Sequence, residues 1–295
     1  MGSTGELLQK LQEGRGDEAL RGLYALDGSD ASLEKGRERA VRVVRAFEAE
    51  FGARPEAALF SGPGRTEIGG NHTDHQHGRV LCGSVDLDML ACAAPNGTDL
   101  VRIQSEGYPA LEVDLRDLKV REEEKNSSPA LVRGVAARLA ELGCRPAGFD
   151  AYVTSTVLSG SGLSSSAAYE ILVATIIDCF FGGGTLDPVE RAKVGQYAEN
   201  VYFGKPCGLM DQMGSSVGGA VAIDFADPAA PVVKKVEYDF PRSGHALCIV
   251  DTGSCHADLT DDYADITREM GAVAAHFGKK FLRDVDEGAF RAALP

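Results

Sequence analysis

The sequence predicts an α+β or mixed fold rather than a doubly wound parallel sheet. A run of short strands comes before a stretch in which helices and strands alternate, and that order favours this class. A length of 295 residues suits one large domain or two of medium size. Hydrophobic residues make up 44% of the chain, which is enough to form a proper core.

Two helices are predicted at the N-terminus. Ser3 and Glu6 have the spacing of a capping box, so a short helix is expected to begin directly after Ser3. A second helix fits 32–51, with apolar residues on one side and Arg or Glu on the other. Both helices are expected to cover a core.

Short strand-like runs follow, and Pro95-Asn96-Gly97 between two of them is typical of a tight hairpin turn. A polar loop at 121–128 separates the last of these runs from the helices of the middle of the chain. The predicted strands are 57–61, 87–94, 100–105, 110–115, 149–157 and 246–251. The later predicted helices are 129–142, a helix that runs to about residue 181, 258–276 and 284–293.

The charge balance excludes some classes of function. A net charge of −14 and a pI near 4.9 argue against a surface for nucleic acids or membranes, although a local pocket can still bind an anion. No run of about 18 apolar residues and no signal-peptide pattern is visible, so no transmembrane helix is expected. Seven cysteines without a C-x-x-C pair fit buried thiols in a reducing compartment, and the cytoplasm is the expected location.

A glycine–serine loop at 158–168 (LSGSGLSSSAA) lies between a predicted strand and a predicted helix. Gly160 and Gly162 let the backbone turn sharply and approach a ligand closely. The free N–H groups and the positive dipole end of the helix make an anion site suited to the phosphates of a nucleotide. The serines that follow can cap the helix, donate to phosphate oxygens or reach Mg²⁺. The loop is neither a Walker A motif nor a dinucleotide fingerprint, and its apolar, periodic flanks argue against a flexible linker.

Two further segments are rich in polar and small residues. The stretch 61–78 packs five glycines and many short polar side chains between apolar strands, as expected where backbone approaches a polyhydroxylated ligand. Its histidines lack the spacing and the cysteine partners of a zinc site. The stretch 207–216 places Asp211 among neutral and apolar residues, where a carboxylate is either a structural cap or a working base.

Together these segments resemble the galactokinase branch of the galactose, homoserine, mevalonate and phosphomevalonate kinase superfamily. The segment 64–74, from Gly-Arg to Asn-His-Thr-Asp, is similar to the sugar-binding signature of that branch. The segment 160–167 (GSGLSSSA) is similar to the ATP loop of the superfamily. The segment 198–212 resembles the region with the metal ligand and catalytic aspartate, and 251–263 a stretch whose tyrosine touches the sugar. The resemblance covers about 57–270.

This resemblance implies a two-lobed small-molecule kinase fold of the galactokinase type. It implies phosphorylation of the anomeric (C1) hydroxyl of galactose or a closely related sugar, with ATP and Mg²⁺. It divides the chain into an N-terminal helical extension (1–56), an N-terminal lobe with the sugar signature and ATP loop (57–212), and a partial C-terminal lobe (213–295). The third glycine-rich motif of the family is absent, so the C-terminal lobe is expected to be incomplete, with a further C-terminal segment or a second fragment as its partner.

The resemblance also assigns roles to residues. Asp211 would act as general base toward the anomeric hydroxyl or orient it, and Arg65 would neutralise charge near Asp211 and on the transferring phosphoryl group. A neighbouring guanidinium keeps Asp211 ionised and makes it a weaker base, which favours positioning and electrostatics over strong base catalysis. The other implied residues are Asn71, His72, Asp74, Gly208 and Tyr263 for the sugar, Gly160, Ser161, Gly162, Leu163, Ser164, Ser165 and Ser166 for ATP, and Ser166 and Glu199 for Mg²⁺.

Two departures from the family pattern bear on the sugar. Asn71 stands where the family usually has Glu, and His75 stands where it usually has Tyr. That Glu is expected to accept a hydrogen bond from the hydroxyl at the sixth carbon, and an amide can accept the same bond at roughly half the strength. An uncharged Asn71 would also tolerate a carboxylate there. Galactose is the expected sugar, and galacturonate, N-acetylgalactosamine and arabinose stay open.

Two other functions compete with this one. The first is a non-catalytic, galactokinase-like sensor of sugar and ATP that regulates transcription through a protein partner. Such relatives lose the Ser-Ala pair of the ATP loop, whereas this chain keeps Ser166-Ala167. The second is another kinase of the superfamily, acting on homoserine or mevalonate, which the sugar signature disfavours.

Overall fold

The computed structural model describes residues 1–25, 27–157, 162–238, 240, 242–250 and 260–294, with only the backbone of 260–264. The helices in this part of the chain are α1 (Thr4–Gln12), α2 (Asp17–Tyr24), α3 (Asp30–Phe51), α4 (Ser128–Glu141), α5 (Ser165–Ile177), α6 (Pro188–Tyr197), α7 (Met210–Val217), α8 (Thr260–His276) and α9 (Glu287–Ala292). The strands are β1 (Ala58–Gly69), β2 (Arg79–Pro95), β3 (Leu100–Ser105), β4 (Leu111–Asp114), β5 (Phe149–Ser155), β6 (Ala220–Asp224) and β7 (Val232–Val236).

The strands form one sheet in the order β4-β3-β5-β2-β6-β7, with β1 paired to β2. The β3–β5 pair is parallel, and the other strand pairs in the described residues are antiparallel. The long strand β2 pairs with β5 through one half and with β6 through the other. Helices and a mainly antiparallel sheet confirm the α+β class.

Both faces of the central strand are buried. Successive residues of β2 point to opposite faces of the sheet because side chains alternate along a strand. Leu90, Cys92 and Ala94 lie in a core with helices α1–α3. Ala91 and Ala93 lie in a second core with helices α4–α6. The N-terminal helices therefore cover one face of the sheet, and the helices that follow the sugar and phosphate segments cover the other.

Helix α5 lies in the second core and is extended by a π-helical turn, Asp178–Gly182. A Cβ on Gly62 would lie 2.5 Å from the carbonyl oxygen of Ala168, so glycine allows β1 to pack closely on α5. Among the described residues, Ser165–Gly182 is long and apolar enough to cross a membrane by length and composition, which the sequence analysis did not foresee. More than half of it, 56%, is buried inside the protein, as in a core helix.

Several predicted elements are confirmed and others are wrong. The capping box at Ser3 and Glu6 is present, and β3 has the predicted bounds. Strands β1 and β2 are longer than predicted, and α2, α6, α7, β6 and β7 were not predicted. The strand predicted at 246–251 is wrong over 246–250, which lie outside any strand and expose their apolar side chains. No neighbouring strand among the described residues offers them backbone partners, and Asp251 lies outside the described residues.

Candidate active site

An ion pair joins strand β1 to helix α7. Arg65 is buried, and its Nε donates to Asp211 Oδ1 at 2.8 Å while Nη2 lies 2.7 Å from the same oxygen. The third nitrogen, Nη1, donates to the carbonyl oxygen of Gly162 at 2.7 Å. A Cβ on Gly214 would lie 2.9 Å from Arg65 Cβ, so glycine in α7 lets the strand and helix approach. The two residues assigned to catalysis are therefore in direct contact.

Asp211 lies in the first turn of α7 with 31% of its side chain exposed. The hydroxyl of Ser164 donates to Asp211 Oδ2 at 2.5 Å. Burial raises the pKa of Asp211, but the charge of Arg65 and the Ser164 hydrogen bond lower it by more, so the net pKa is below its usual value. The carboxylate is therefore ionised at neutral pH and keeps lone pairs that a ligand can reach.

The described part of the glycine–serine loop lies against Arg65. Gly162 has φ +76°, a conformation that favours glycine, and the Arg65 backbone N–H donates to Leu163 O at 3.1 Å. Ser164 precedes the first residue of α5 with left-handed φ and ψ of 56° and 60°. Its hydroxyl does not cap that helix and bonds Asp211 instead. Gly160 and Ser161 lie outside the described residues.

The two residues assigned to Mg²⁺ are also in contact. Ser166 Oγ donates to Glu199 Oε1 at 3.1 Å, and Lys205 Nζ lies 3.6 Å from the same oxygen. A hydroxyl and a carboxylate are the oxygen ligands that Mg²⁺ takes together with phosphate oxygens, so these residues fit the ion. Ser165 is the first residue of α5, beside them on the same turn. In the described residues no group of three or more His, Cys, Asp or Glu side chains is placed to hold a metal ion.

A buried amide links this site to a second carboxyl group. Gln212 Nε2 donates to Glu199 Oε2 at 2.8 Å and to Glu170 Oε2 at 3.0 Å. Glu170 and Gln212 are fully buried, and the remaining side-chain oxygen of each has no hydrogen-bond partner. Burial, and then the charge of Glu199, raise the pKa of Glu170 well above its usual value.

Four of the residues assigned to the sugar lie in two segments: Asn71, His72 and Asp74 follow β1, and Gly208 precedes α7. Asp74 is buried and accepts the backbone N–H of Met210 at 3.1 Å, and Gly208 packs directly against it. Asn71 and His72 are exposed and have positive φ values of 51° and 52°. Tyr263 is in α8, but its side chain lies outside the described residues.

The structure thus brings together Arg65, Asp211, Gly162 and Leu163, and separately Ser166 and Glu199. Sequence reasoning did not find the contacts of Ser164, Gln212, Glu170 and Glu67. Gln212 follows Asp211 directly in the sequence, and Glu67 lies within the sugar-signature segment, so both stood inside motifs that had been singled out. Nothing in the sequence indicated that their side chains turn toward Glu199 and His72.

Comparison with known families matches both motif regions. A model described as the galactokinase galactose-binding signature matches residues 45–95, and a model of the N-terminal domain of the GHMP kinases, the superfamily named above, matches 130–219. The chain is 33% identical over 248 residues to a galactokinase of Streptomyces coelicolor, covering 84% of this chain and 64% of that protein. It is 32% identical over 259 residues to human galactokinase, with the same coverages. It therefore spans a little less than two thirds of these relatives.

Solved structures show the same fold. A galactokinase of Lactococcus lactis complexed with galactose superposes with a TM-score of 0.68 at 22% identity, covering 84% of this chain and 65% of that one. A mevalonate kinase of Methanococcus jannaschii superposes with a TM-score of 0.55 at 17% identity, covering 76% and 73%. The fold expected from the sequence, that of a small-molecule kinase, is confirmed by these likenesses.

Proposed function

Because the chain belongs to the galactokinase family of the GHMP kinases, we propose that it forms the substrate-binding part of a sugar-1-kinase. This enzyme transfers the γ-phosphoryl group of ATP to the anomeric hydroxyl of galactose or a closely related sugar, giving the sugar 1-phosphate and ADP. The observation that carries the proposal is the contact of Arg65 with both Asp211 and the carbonyl of Gly162. One guanidinium thereby places the carboxylate beside the phosphate loop.

In this reaction the anomeric oxygen forms a bond to the γ-phosphorus, and the bond from that phosphorus to the bridging oxygen breaks. Asp211 accepts a hydrogen bond from the anomeric hydroxyl and receives its proton as the new bond forms. The pKa of Asp211 is lowered, so it is a weak base, and its main contribution is to orient the hydroxyl. Arg65 stabilises negative charge on the transferring group, where little covalent chemistry is required of the protein.

The nucleotide and Mg²⁺ are assigned to the start of α5. The N-terminus of this 13-residue helix offers unpaired N–H groups to the phosphates of ATP, beside the hydroxyls of Ser165 and Ser166. Ser166 and Glu199 would hold Mg²⁺. When bound, Mg²⁺ would neutralise negative charge on the phosphates. The sugar would lie against Asn71, His72, Asp74, Gly208 and Tyr263.

A docking partner is part of the proposal. Apolar side chains of β7 and of the segment after it, Val232, Val236, Leu247, Ile249 and Val250, are exposed. The second edge of β7 has no partner strand among the described residues. A strand and a helical layer supplied by further C-terminal sequence or by a second fragment would cover this surface, in agreement with the greater length of the relatives. We place the boundary between the two lobes at α7, which contains residue 212.

We assign the protein to the cytoplasm on the state of its thiols. The six cysteines that the structure describes are free, and burial raises the pKa of five of them, Cys82, Cys92, Cys144, Cys179 and Cys207. Unpaired thiols of this kind persist in a reducing compartment. No finding favours the regulatory sensor, and the galactose-binding signature argues against a homoserine or mevalonate kinase.

The direct test is a coupled kinase assay with ATP and Mg²⁺ on the chain joined to C-terminal sequence equivalent to that of its longer relatives. The substrates are galactose, galacturonate, N-acetylgalactosamine, arabinose, homoserine and mevalonate. We expect ADP release with galactose, and phosphorus NMR should show the phosphate on the anomeric oxygen. ADP release only with homoserine or mevalonate would contradict the proposal. Binding of galactose and ATP without turnover, in a chain that carries the complete C-terminal lobe, would favour the sensor.

A further inference from the structure

The carboxylate of Glu67 lies in the sugar-signature segment and is held there by His72. Glu67 Oε1 accepts the backbone N–H of His72 at 2.9 Å, and Oε2 lies 3.4 Å from His72 Nε2. The Glu67 side chain is 17% exposed, so its carboxylate is largely removed from bulk water. Two contacts with one residue, His72, therefore fix the position of this carboxylate at the end of β1.

Glu67 points to the same side of the sheet as Arg65. Residues 65, 66 and 67 pair in continuous register with 84, 83 and 82, without a bulge between them. Because side chains alternate along a strand, Glu67 lies on the face of Arg65, about 7 Å further along β1 at the usual rise per residue. The Glu67 carboxylate is therefore the next charged group along the strand from the Arg65–Asp211 pair.

Several charged groups of this region affect the pKa of one buried thiol, that of Cys82. Cys82 is the strand partner of Glu67 in β2, and burial raises its pKa to about 12. The charge of Arg65 lowers this pKa, whereas three carboxylates raise it further, namely Asp211, Asp74 and Glu67. Glu67 thus belongs to the same cluster of charges as the residues assigned to the sugar and to catalysis.

The amide of Asn71, in the same segment, is less fixed in position than the Glu67 carboxylate. Asn71 is exposed, and its side chain makes no hydrogen bond within the described part of the chain. A carboxylate has about four acceptor sites, and in Glu67 one of them accepts the His72 N–H while Oε2 lies 3.4 Å from His72 Nε2. The others remain for hydroxyl groups of a ligand.

On the premise of the proposed function, we propose that Glu67 is the specificity-determining carboxylate of the sugar site. It accepts a hydrogen bond from a sugar hydroxyl, and its negative charge excludes sugars that carry a carboxylate. From the sequence, the uncharged Asn71 was expected to let the site accept galacturonate. With Glu67 in the site, we expect galacturonate to be excluded, because residue 67 supplies the negative charge that residue 71 lacks. Galactose and other neutral sugars remain as substrates.

The experiment compares Glu67→Gln with the unchanged protein for galactose and galacturonate, both in kcat/KM and in sugar binding by calorimetry without ATP. Glutamine keeps an oxygen that can accept the His72 N–H and removes only the charge. We expect the preference for galactose over galacturonate to fall at least about tenfold, because like charges in a partly desolvated site repel strongly. Glu106→Gln, on an exposed loop, is the matched control and should leave the preference unchanged.

Glu67→Asp provides a second variant in case Glu67→Gln folds poorly, because it keeps the negative charge and withdraws it by one carbon. We expect Glu67→Asp to bind galactose more weakly and still to exclude galacturonate, whereas Asn71→Glu should restore the preference in the Glu67→Gln background. An unchanged preference in Glu67→Gln, or an equal loss of both sugars with a lower melting temperature, would overturn this inference and assign Glu67 to loop structure. Failure to phosphorylate any sugar, by the chain joined to C-terminal sequence equivalent to that of its longer relatives, would instead reject the proposed function, and the calorimetric preference would still decide the role of Glu67.

Discussion

Asp74 fills the space beside Gly208 that a side chain would need. A Cβ on residue 208 would lie 1.7 Å from Asp74 Oδ2, well inside van der Waals contact. The same oxygen accepts the backbone N–H of Met210 at 3.1 Å. Glycine at this position therefore lets the segment before α7 close over a buried carboxylate, whose pKa is raised by burial.

Gly208→Ala should displace Asp74 and weaken sugar binding. We expect the dissociation constant for galactose to rise at least about tenfold and the protein to lose about 1–3 kcal/mol of stability, the usual cost of overpacking. Calorimetric titration and denaturant unfolding measure the two effects. Gly22→Ala is the matched control, because a Cβ there meets nothing within 4 Å and residue 22 lies in α2. Unchanged galactose binding in Gly208→Ala would remove Asp74 from the sugar site.

Asp211→Asn should remove nearly all turnover and leave ATP affinity within a few-fold. An amide cannot take up the proton of the hydroxyl and forms no ion pair with Arg65, so we expect kcat below about a hundredth of its starting value. The measurement is the coupled assay with galactose, together with titration of a nucleotide analogue. Asp99→Asn, on an exposed turn, should behave like the unchanged protein. A variant at 211 that retains a tenth of the activity would show that Asp211 is dispensable.

The buried Glu170 should make stability depend on pH. A carboxyl group whose pKa is higher in the folded than in the unfolded state binds more protons when folded between these two values. Its effect is therefore absent below the unfolded pKa, about 4.3 for glutamate, and stability falls as the pH rises above it. The raised pKa of Glu170 has this sign.

Glu170→Gln should remove the part of the loss of stability with rising pH that Glu170 causes. We expect the variant and the unchanged protein to be similar at about pH 4.5, and the variant to gain up to about 1.4 kcal/mol per pH unit in relative stability above it, until the folded-state pKa is reached. The free energy of unfolding, measured in urea from pH 4.5 to 8, gives this difference. Glu112→Gln, at an exposed position of β4, is the control. If the free energies of unfolding of Glu170→Gln and the unchanged protein followed parallel curves against pH, Glu170 would be ionised when folded.

The exposed apolar surface beyond β7 predicts that the 295 residues alone are a poor kinase. We expect low turnover and binding of a hydrophobic dye, because Leu247, Ile249 and Val250 face water. Joining C-terminal sequence equivalent to that of the longer relatives should raise both turnover and melting temperature and abolish dye binding. A flexible Gly/Ser extension of equal length is the control. Full activity and cooperative unfolding of the 295 residues alone would reject the prediction.

The sequence was informative where local chemistry decides the structure. The capping box at Ser3 depends on residues three apart, and it is present. The phosphate loop was recognised because glycines and serines between two apolar, periodic segments require a backbone turn. The contact of Arg65 with Asp211 was anticipated through a family pattern, since no local rule joins residues 146 apart.

Other features depend on tertiary packing and left no such signal. The segment 246–250 has the apolar composition of a strand, but a strand requires a neighbour to supply hydrogen bonds, and the described residues offer none. Gln212 reads as an ordinary polar residue, yet it is fully buried between two carboxyl groups. Ser164 was one of three serines expected to cap the helix, donate to phosphate oxygens or reach Mg²⁺, but its hydroxyl bonds Asp211 and does not cap α5.

Arg65 contacts residues that are distant in the sequence, and this affects when its contacts can form during biosynthesis. Its guanidinium contacts residues 97 and 146 positions away, so this corner of the protein has a high contact order. While the ribosome is still adding the residues before Asp211, strands β1–β5 can already pair, but Arg65 has no carboxylate to bind. This corner therefore cannot be completed until α7 emerges, because α7 supplies both the carboxylate that pairs with Arg65 and the glycine, Gly214, that packs against it.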